Sequence, residues 1–348
     1  MTKVISVDPN KPFETLREEL KSVAKAILDG ALVAFPTETV YGLGCNPFNK
    51  KAVERLYEIK NRPKGRPLPL LVISQKQVEV LTAEISDAAR ALMEHFFPGP
   101  LTLILKRSKV VPDEVCAYTE KVGVRCPKHN IPLALIDACG VPLATPSANL
   151  SGHISPTDAG EVLRQLGGRI DFVIDGGRTS IGIESTVIDM TVEPPKIIRL
   201  GSITPEEIEA VIGKPVEVDE EAMAARYRPL HARIVLVDVE NEEERINALI
   251  ESAQKHLGEG ARVCLLATDE TITLLKRVGV PSGVVLRSVG SRHDLDKVAL
   301  YIYERISASD REGFDTLIVE GFQREGIGIA IMQRLSSAAH EIIKRMAP

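Results

Sequence analysis

The sequence has no paired-cysteine framework. Its five cysteines, Cys45, Cys116, Cys126, Cys139 and Cys264, are odd in number and show no C-x-x-C spacing. That argues against a disulfide scaffold and against a zinc ribbon. The seven histidines form no H-E-x-x-H and no cluster with cysteine, so no structural metal is expected. No run of about 18 apolar residues occurs, so no membrane span is expected. The first residues lack a secretory pattern, and a cytoplasmic protein is the simple reading. Excess positive charge is also missing. The first 212 residues carry 25 basic and 26 acidic side chains and the rest 18 and 22, for a net charge of −5. A chain that wraps nucleic acid by charge alone is basic, so no strong direct nucleic-acid binding is expected. There is no Walker A loop, no G-x-S-x-G and no Cys/His pair within one motif. Gly326-Ile327-Gly328 follows a strand but lacks the third glycine of a dinucleotide fingerprint.

What is present is a 348-residue chain that is 44% hydrophobic, enough for one large domain or two ordinary ones. Leu16, Leu20, Val23, Ala24 and Ile27 recur at helical spacing over residues 13–29, and Gly30 stops the pattern. Residues 31–35 read as a buried strand, 51–60 as a helix and 68–73 as a strand. Residues 101–105, 122–125 and 141–145 are further strand candidates, with helical stretches between several of them. The class is α/β. Thr204-Pro205-Glu206-Glu207 offers an N-cap, a first-turn proline and a capping-box glutamate. The stretch 217–227 is charged and short of large aliphatics, so it reads as a linker. From residue 234 strands and helices alternate to residue 320 in a doubly wound pattern. The expected organisation is residues 1–212 as the first domain, 213–232 as a linker and 233–348 as a second domain.

Four motifs could carry chemistry. Lys60-Asn61-Arg62-Pro63-Lys64-Gly65-Arg66-Pro67 concentrates cations at a helix exit. Such a loop suits phosphate oxygens, although a solvated basic loop would look the same. Thr145-Pro146-Ser147-Ala148-Asn149-Leu150-Ser151-Gly152 follows an apolar strand and suits a ligand crevice or simply a capped turn. The glycine-rich stretch around Gly176, Gly177 and Gly182, leading into Glu184-Ser185-Thr186, allows close backbone approach to a ligand. Pro36-Thr37-Glu38-Thr39-Val40-Tyr41-Gly42 places hydroxyls beside glycine after the first core strand.

In this order the motifs resemble the threonylcarbamoyl-AMP synthases with a YrdC-like domain. The matching stretches include Pro36–Leu43, Lys60-x-Arg62-Pro63, Val124-Arg125-x-Pro127-x-His129, Pro146-Ser147-Ala148-Asn149-x-Ser151-Gly152, Gly182–Asp189 and Ile198–Thr204. Glu320-Gly321-Phe322 and residues 326–335 look like the extra domain of that family's long branch. The resemblance implies an open, twisted sheet with a positively lined cleft, followed by a smaller Rossmann-like α/β domain. It implies a nucleotidyltransferase that makes threonylcarbamoyl-AMP and pyrophosphate from L-threonine, bicarbonate and ATP, with Mg²⁺ travelling on the triphosphate. The product would pass to a tRNA threonylcarbamoyl transferase complex.

By resemblance Lys60, Arg62, Ser147 and Asn149 take the catalytic positions on the nucleotide phosphates. Arg66, Lys121, Ser155, Arg199 and Tyr227 join them on ATP, and Thr39, Arg125, Thr145 and Ser185 hold threonine. The sequence departs from the family at Leu71, where many relatives have histidine, at Lys121 (threonine) and at Arg66 (asparagine). Residues 221–229 depart from the usual linker. Two other readings fit parts of the pattern. One is a YrdC-like RNA-binding module without catalysis. The other is a carbamoyl-transfer domain of the hydrogenase-maturation type, whose companion modules are not seen.

Overall fold

The computed structural model describes residues 1–219 and 231–344. Two compact units divide the chain near residue 223. In the first, helix α1 (Phe13–Leu28) forms because its apolar side chains fall on one stripe. Leu16, Leu20, Val23, Ala24 and Ile27 are all buried, against Ile131, Ala134 and Leu135 of α5 (Asn130–Cys139). Each large aliphatic so buried contributes about 1.5–3 kcal/mol. Gly30 then reverses the chain at φ +104°, a conformation that glycine adopts without strain. The other helices of this unit are α2 (Lys50–Ile59), α3 (Gln75–Leu81), α4 (Asp87–Phe96), α6 (Ala159–Leu166) and α7 (Pro205–Ile212). Helix α7 carries the expected capping box, with the Glu207 amide donating to Thr204 Oγ1 and the Thr204 amide donating to Glu207 Oε2.

Two open sheets support this unit. The smaller runs β1 (Lys3–Ser6), β8 (Phe172–Asp175), β2 (Val33–Phe35), β3 (Gly42–Gly44) in spatial order. The larger runs β11 (Glu217–Val218), β10 (Lys196–Arg199), β9 (Thr186–Asp189), β5 (Leu101–Lys106), β6 (Lys121–Arg125), β4 (Leu70–Leu71), β7 (Leu143–Ala144). Backbone bridges Gly42↔Ser147 and Cys45↔Ala144 stitch the two together. Strands β4 and β7 are shorter than the apolar runs 68–73 and 141–145, because only their central residues pair with neighbours.

The expected linker begins differently. Glu217 and Val218 form an edge strand parallel to β10, and Lys196 pairs with Asp219 at 3.4 Å. Charged side chains suit an exposed sheet edge, so this stretch reads as linker by composition while its backbone extends the sheet. At the far end Ala232 is fully buried and its amide donates to Asp310 Oδ1 at 2.7 Å. Tyr227, like residues 221–229 as a whole, lies outside the described residues.

The second unit is a parallel sheet in the order β14 (Val285–Ser288), β13 (Val263–Ala267), β15 (Thr316–Glu320), β12 (Arg233–Val237), β16 (Glu341–Ile343). Helices α8 (Glu242–Gly258), α9 (Asp269–Val278), α10 (Leu295–Arg311) and α11 (Ile327–Ala338) connect the strands. At the carboxyl ends of β13 and β15 the Glu320 carboxylate is fully enclosed. It accepts from the Thr268 amide (2.7 Å), Thr271 Oγ1 (2.7 Å) and Arg292 Nη2 (2.8 Å), and Arg245 Nε lies 3.1 Å away. Gly326-Ile327-Gly328 opens α11. A Cβ at Gly328 would sit 2.1 Å from the Gln323 carbonyl oxygen, so tight packing accounts for that glycine.

Candidate active site

Residues alternate faces along a strand, and one face of the larger sheet floors a cavity of about 410 Å³. Strand β5 contributes Thr102 and Ile104, and β6 contributes Lys121, Gly123 and Arg125. At about 3.3 Å per residue, Lys121 and Arg125 stand about 13 Å apart on that floor. The loops after β2, α2 and β7, and the segment entering β9, form the walls. Thr39, Arg62, Arg66, Thr145, Ser147, Ser185 and Arg199 all line the same space. Nine of the residues singled out in the sequence are thereby brought together from across the first 200 positions.

At the Arg125 end the site is tightly braced. Arg125 Nε donates to the Gly99 carbonyl at 3.1 Å. Its Nη2 lies 2.8 Å from Glu38 Oε1, and both side chains are buried. Thr37 Oγ1 donates to the Val40 carbonyl at 2.7 Å and stands 2.9 Å from Thr39 Oγ1. Ser185 Oγ is shared by Thr102 Oγ1 (2.8 Å) and Arg199 Nη2 (2.9 Å), while Arg199 Nε donates to the Ser185 carbonyl at 3.0 Å. Gly201 allows this packing, since a Cβ there would lie 2.3 Å from the Thr186 nitrogen.

At the basic end Asn61 adopts φ +49°, turning the chain so that Lys60 and Arg62 diverge. Arg62 Nε and Nη2 donate to the carbonyls of Arg66 (3.1 Å) and Pro67 (2.7 Å), which curls the proline-braced loop over the cavity. Burial lowers the Arg62 pKa. Lys121 Nζ reaches Asp189 Oδ2 at 2.7 Å. Burial pulls the Asp189 pKa upward, but hydrogen bonds from Lys121 and Thr191 leave it below the ordinary carboxylate value.

Three sequence candidates lie behind the wall. Lys60 is 1% exposed, and its ammonium donates to the carbonyls of Ser147 and Asn149. Burial pushes its pKa well below the usual lysine value. Asn149 Oδ1 accepts from Ser147 Oγ, and its Nδ2 donates to the carbonyls of Leu150 (2.9 Å) and His153 (2.7 Å). Ser155 Oγ donates to Glu184 Oε1 at 2.6 Å. In this structure Lys60 and Asn149 shape the turn that presents Ser147, and Ser155 holds Glu184, which itself lines the cavity.

Sequence reasoning gave no role to Glu38, Glu184, Thr37, Thr102 or Thr119. The two carboxylates sit inside the quoted motifs, next to residues that were assigned, and that adjacency was the available signal. Leu71 lines the cavity as an apolar side chain. No cysteine is among the described residues that line the cavity, and burial pushes Cys45 up to about 12 and Cys126 up to about 11. No three His, Cys, Asp or Glu side chains converge as a metal site among the described residues, and none of the described helices is long and apolar enough to cross a membrane.

Two family models match the chain. One, described as telomere recombination (Sua5/YciO/YrdC), covers residues 25–201. The other, described as threonylcarbamoyl-AMP synthase, C-terminal domain, covers residues 203–340. A Bacillus subtilis protein named threonylcarbamoyl-AMP synthase is 40% identical, over 97% of this chain and 98% of its own. A Pyrococcus abyssi protein of the same name is 38% identical, over 94% and 96%. The crystal structure of P. abyssi Sua5 complexed with L-threonine superposes with a TM-score of 0.89 at 36% identity, covering 99% of this chain and 100% of that one. From the braced cavity to the appended parallel-sheet unit, the chain belongs to the threonylcarbamoyl-AMP synthase family, in its two-domain form.

Proposed function

We propose that the chain condenses L-threonine, bicarbonate and ATP to threonylcarbamoyl-AMP and pyrophosphate in the cavity of the first unit. The carrying observation is that β6 aims Lys121 and Arg125 into one space, beside a hydroxyl-rich wall at Arg125 and a basic wall at Arg62 and Arg66. An amino acid and a polyphosphate have complementary needs. The carboxylate of threonine matches the fork of Arg125, which Glu38 and Gly99 hold in place. Thr39, Thr145 and Ser185 offer hydroxyls to the rest of that small polar substrate. Arg62, Arg66, Lys121 and Arg199 surround the phosphates, and Ser147 reaches them from a turn fixed by Lys60 and Asn149.

The amine of threonine takes up bicarbonate as a carbamate, releasing water. A carbamate oxygen attacks the α-phosphorus, and the bond to the bridging oxygen breaks as pyrophosphate leaves. This chemistry needs position and charge neutralisation more than a covalent nucleophile, which suits a cavity lined by four arginines. Mg²⁺, when bound, would neutralise phosphate charge. It would arrive on the nucleotide's own oxygens, since the chain gathers no carboxylate cluster for it among the described residues. The product would then serve a threonylcarbamoyl transferase acting on tRNA.

The test is pyrophosphate release with ATP and Mg²⁺, omitting threonine or bicarbonate in turn, and detection of the adenylate. Release should require both co-substrates. Equal release with ATP alone would overturn the assignment.

A further inference from the structure

We propose that Gly123 floors a bicarbonate subsite between the threonine end and the nucleotide end of the cavity; this rests on the synthase reading of that cavity. Strand β6 crosses the floor with Lys121, Gly123 and Arg125 on the face that lines the cavity. At about 3.3 Å per residue, Gly123 stands about 6.6 Å along the strand from each cation. The register supplies its neighbours. Ile104 of β5 pairs directly with Gly123. On the other side Leu70 pairs with Val124 and Leu71 with Arg125, so Pro69 flanks Gly123 there. Pro69 and Ile104 both line the cavity.

The ordinary reasons for a glycine in a strand do not apply at this position. Glycine inside a strand weakens it, and it occurs at bulges, at tight bends or where another group approaches the backbone closely. The ladder from Leu103↔Val124 to Lys106↔Lys121 runs without a register shift, and Gly123 has no positive φ. Packing does not forbid a side chain either. A Cβ at Gly123 would lie 3.5 Å from Thr102 Cγ2 and 3.6 Å from Pro69 Cβ, which is ordinary van der Waals contact. At Gly42, by contrast, a Cβ would lie 2.5 Å from Thr145 Cγ2. Close approach of a ligand is the reason that remains for Gly123. The glycine leaves a dip in the floor, with Pro69 and Ile104 at its sides and Arg125 and Lys121 beyond its ends.

The two substrates recognised at those ends have to be joined through one carbon, and bicarbonate brings it as a small flat anion. Arg125 already pairs with Glu38 at 2.8 Å and Lys121 with Asp189 at 2.7 Å, so the dip holds the anion chiefly by shape. There the threonine amine attacks the bicarbonate carbon. The C–N bond forms, one C–O bond breaks, and the hydroxyl leaves as water with an amine proton. The carbamate so formed lies on the path from Arg125 to the nucleotide, and the apolar sides of the dip limit water around it. A group held by shape is sensitive to one methyl, because a misplacement of about 1 Å costs about a hundredfold in rate.

The experiment is steady-state pyrophosphate release by the full chain in CO2-depleted buffer, titrating bicarbonate at saturating threonine and MgATP. The parent and Gly123→Ala are compared, with calorimetric titrations of threonine and of MgATP and with melting curves. In Gly123→Ala the kcat/KM for bicarbonate should fall by about tenfold to a hundredfold, while both calorimetric affinities stay at the parent value. The variant should melt no lower than the parent, since alanine suits a regular strand better than glycine, which separates a filled dip from a damaged fold. A parent-like bicarbonate requirement in Gly123→Ala would overturn the proposal. A matching loss of threonine or MgATP affinity would also overturn it, because that substrate would then occupy the dip. Release by the parent that ignores threonine and bicarbonate defeats the synthase reading and the subsite with it. Release by the parent that needs both, with an unchanged bicarbonate requirement in the variant, defeats the subsite alone.

Discussion

Replacing Lys60 with methionine separates two ways in which this cation could serve the site. Methionine has a similar length and no donor, so the substitution removes the hydrogen bonds to the Ser147 and Asn149 carbonyls without opening a large cavity. Each charge-assisted hydrogen bond to a buried partner contributes about 1.5–3 kcal/mol. Two are lost, and two carbonyls are left without that donor. Relief of the buried ammonium offsets part of the loss, since the same burial depresses its pKa. A net destabilisation of about 2–4 kcal/mol follows. For a unit of this size each kcal/mol moves the midpoint by about 2–4 °C, so melting should fall by about 4–16 °C. Scanning calorimetry with and without ATP provides the assay, because the transition that ligand shifts upward belongs to the first unit. ATP affinity should fall alongside, as the turn carrying Ser147 loosens. If Lys60→Met melts within a degree of the parent and yet binds ATP much more weakly, the reasoning is wrong, and Lys60 meets the phosphates directly.

Two further outcomes follow from the same geometry. Arg125→Lys keeps the charge opposite Glu38 but loses the fork and the Nε bond to Gly99. The threonine requirement should rise by an amount equivalent to about 1.5–3 kcal/mol, with the ATP requirement little changed, as read by steady-state pyrophosphate release. The buried thiols make the fold sensitive to alkali. Burial raises Cys45 and Cys139 to about 12 and Cys116 and Cys126 to about 11, from an ordinary value of 9.0. The unfolded chain then releases these protons at lower pH than the folded one. Their contribution is complete below pH 9 and declines as pH rises toward 11 to 12, by about 1.4 kcal/mol per pH unit per thiol. Urea unfolding at pH 8 and pH 10 checks this, and replacing Cys45 with alanine should flatten the slope.

The parts of the fold legible in the sequence are those with a long period or a specific cap. Helix α1 shows five buried residues on one stripe, and Thr204 and Glu207 announce the start of α7. Strands β1, β3 and β11 have two to four residues, too few for an alternation to register, and their pairing is fixed by the backbone of distant segments. At the site, the motifs marked which loops meet, and nine of the assigned side chains do line one cavity. The partners were not legible. Lys60 meets carbonyls 87 and 89 positions away, and Lys121 meets Asp189 across 68. Local sequence holds no record of such pairings. Arginine and lysine in a basic loop look equally suited to phosphate, whether they line the cavity while bonding the loop's own carbonyls, as Arg62 does, or lie behind its wall, as Lys60 does.

The Glu320 cluster in the second unit constrains how this chain can drift. Glu320, Arg245, Thr268 and Thr271 meet in a buried cluster, and the partly exposed Arg292 reaches into it. Removing one charge from such a set strands the others, at a cost of about 3–5 kcal/mol, whereas an apolar replacement of the whole group can be neutral. Single-step change is therefore blocked at these positions even where a many-residue change would be harmless. Descendants should keep the group intact or lose it together. A graft of this unit onto another chain has to carry Arg245 and Arg292, which lie 75 and 28 residues before Glu320, along with the strand that bears the carboxylate.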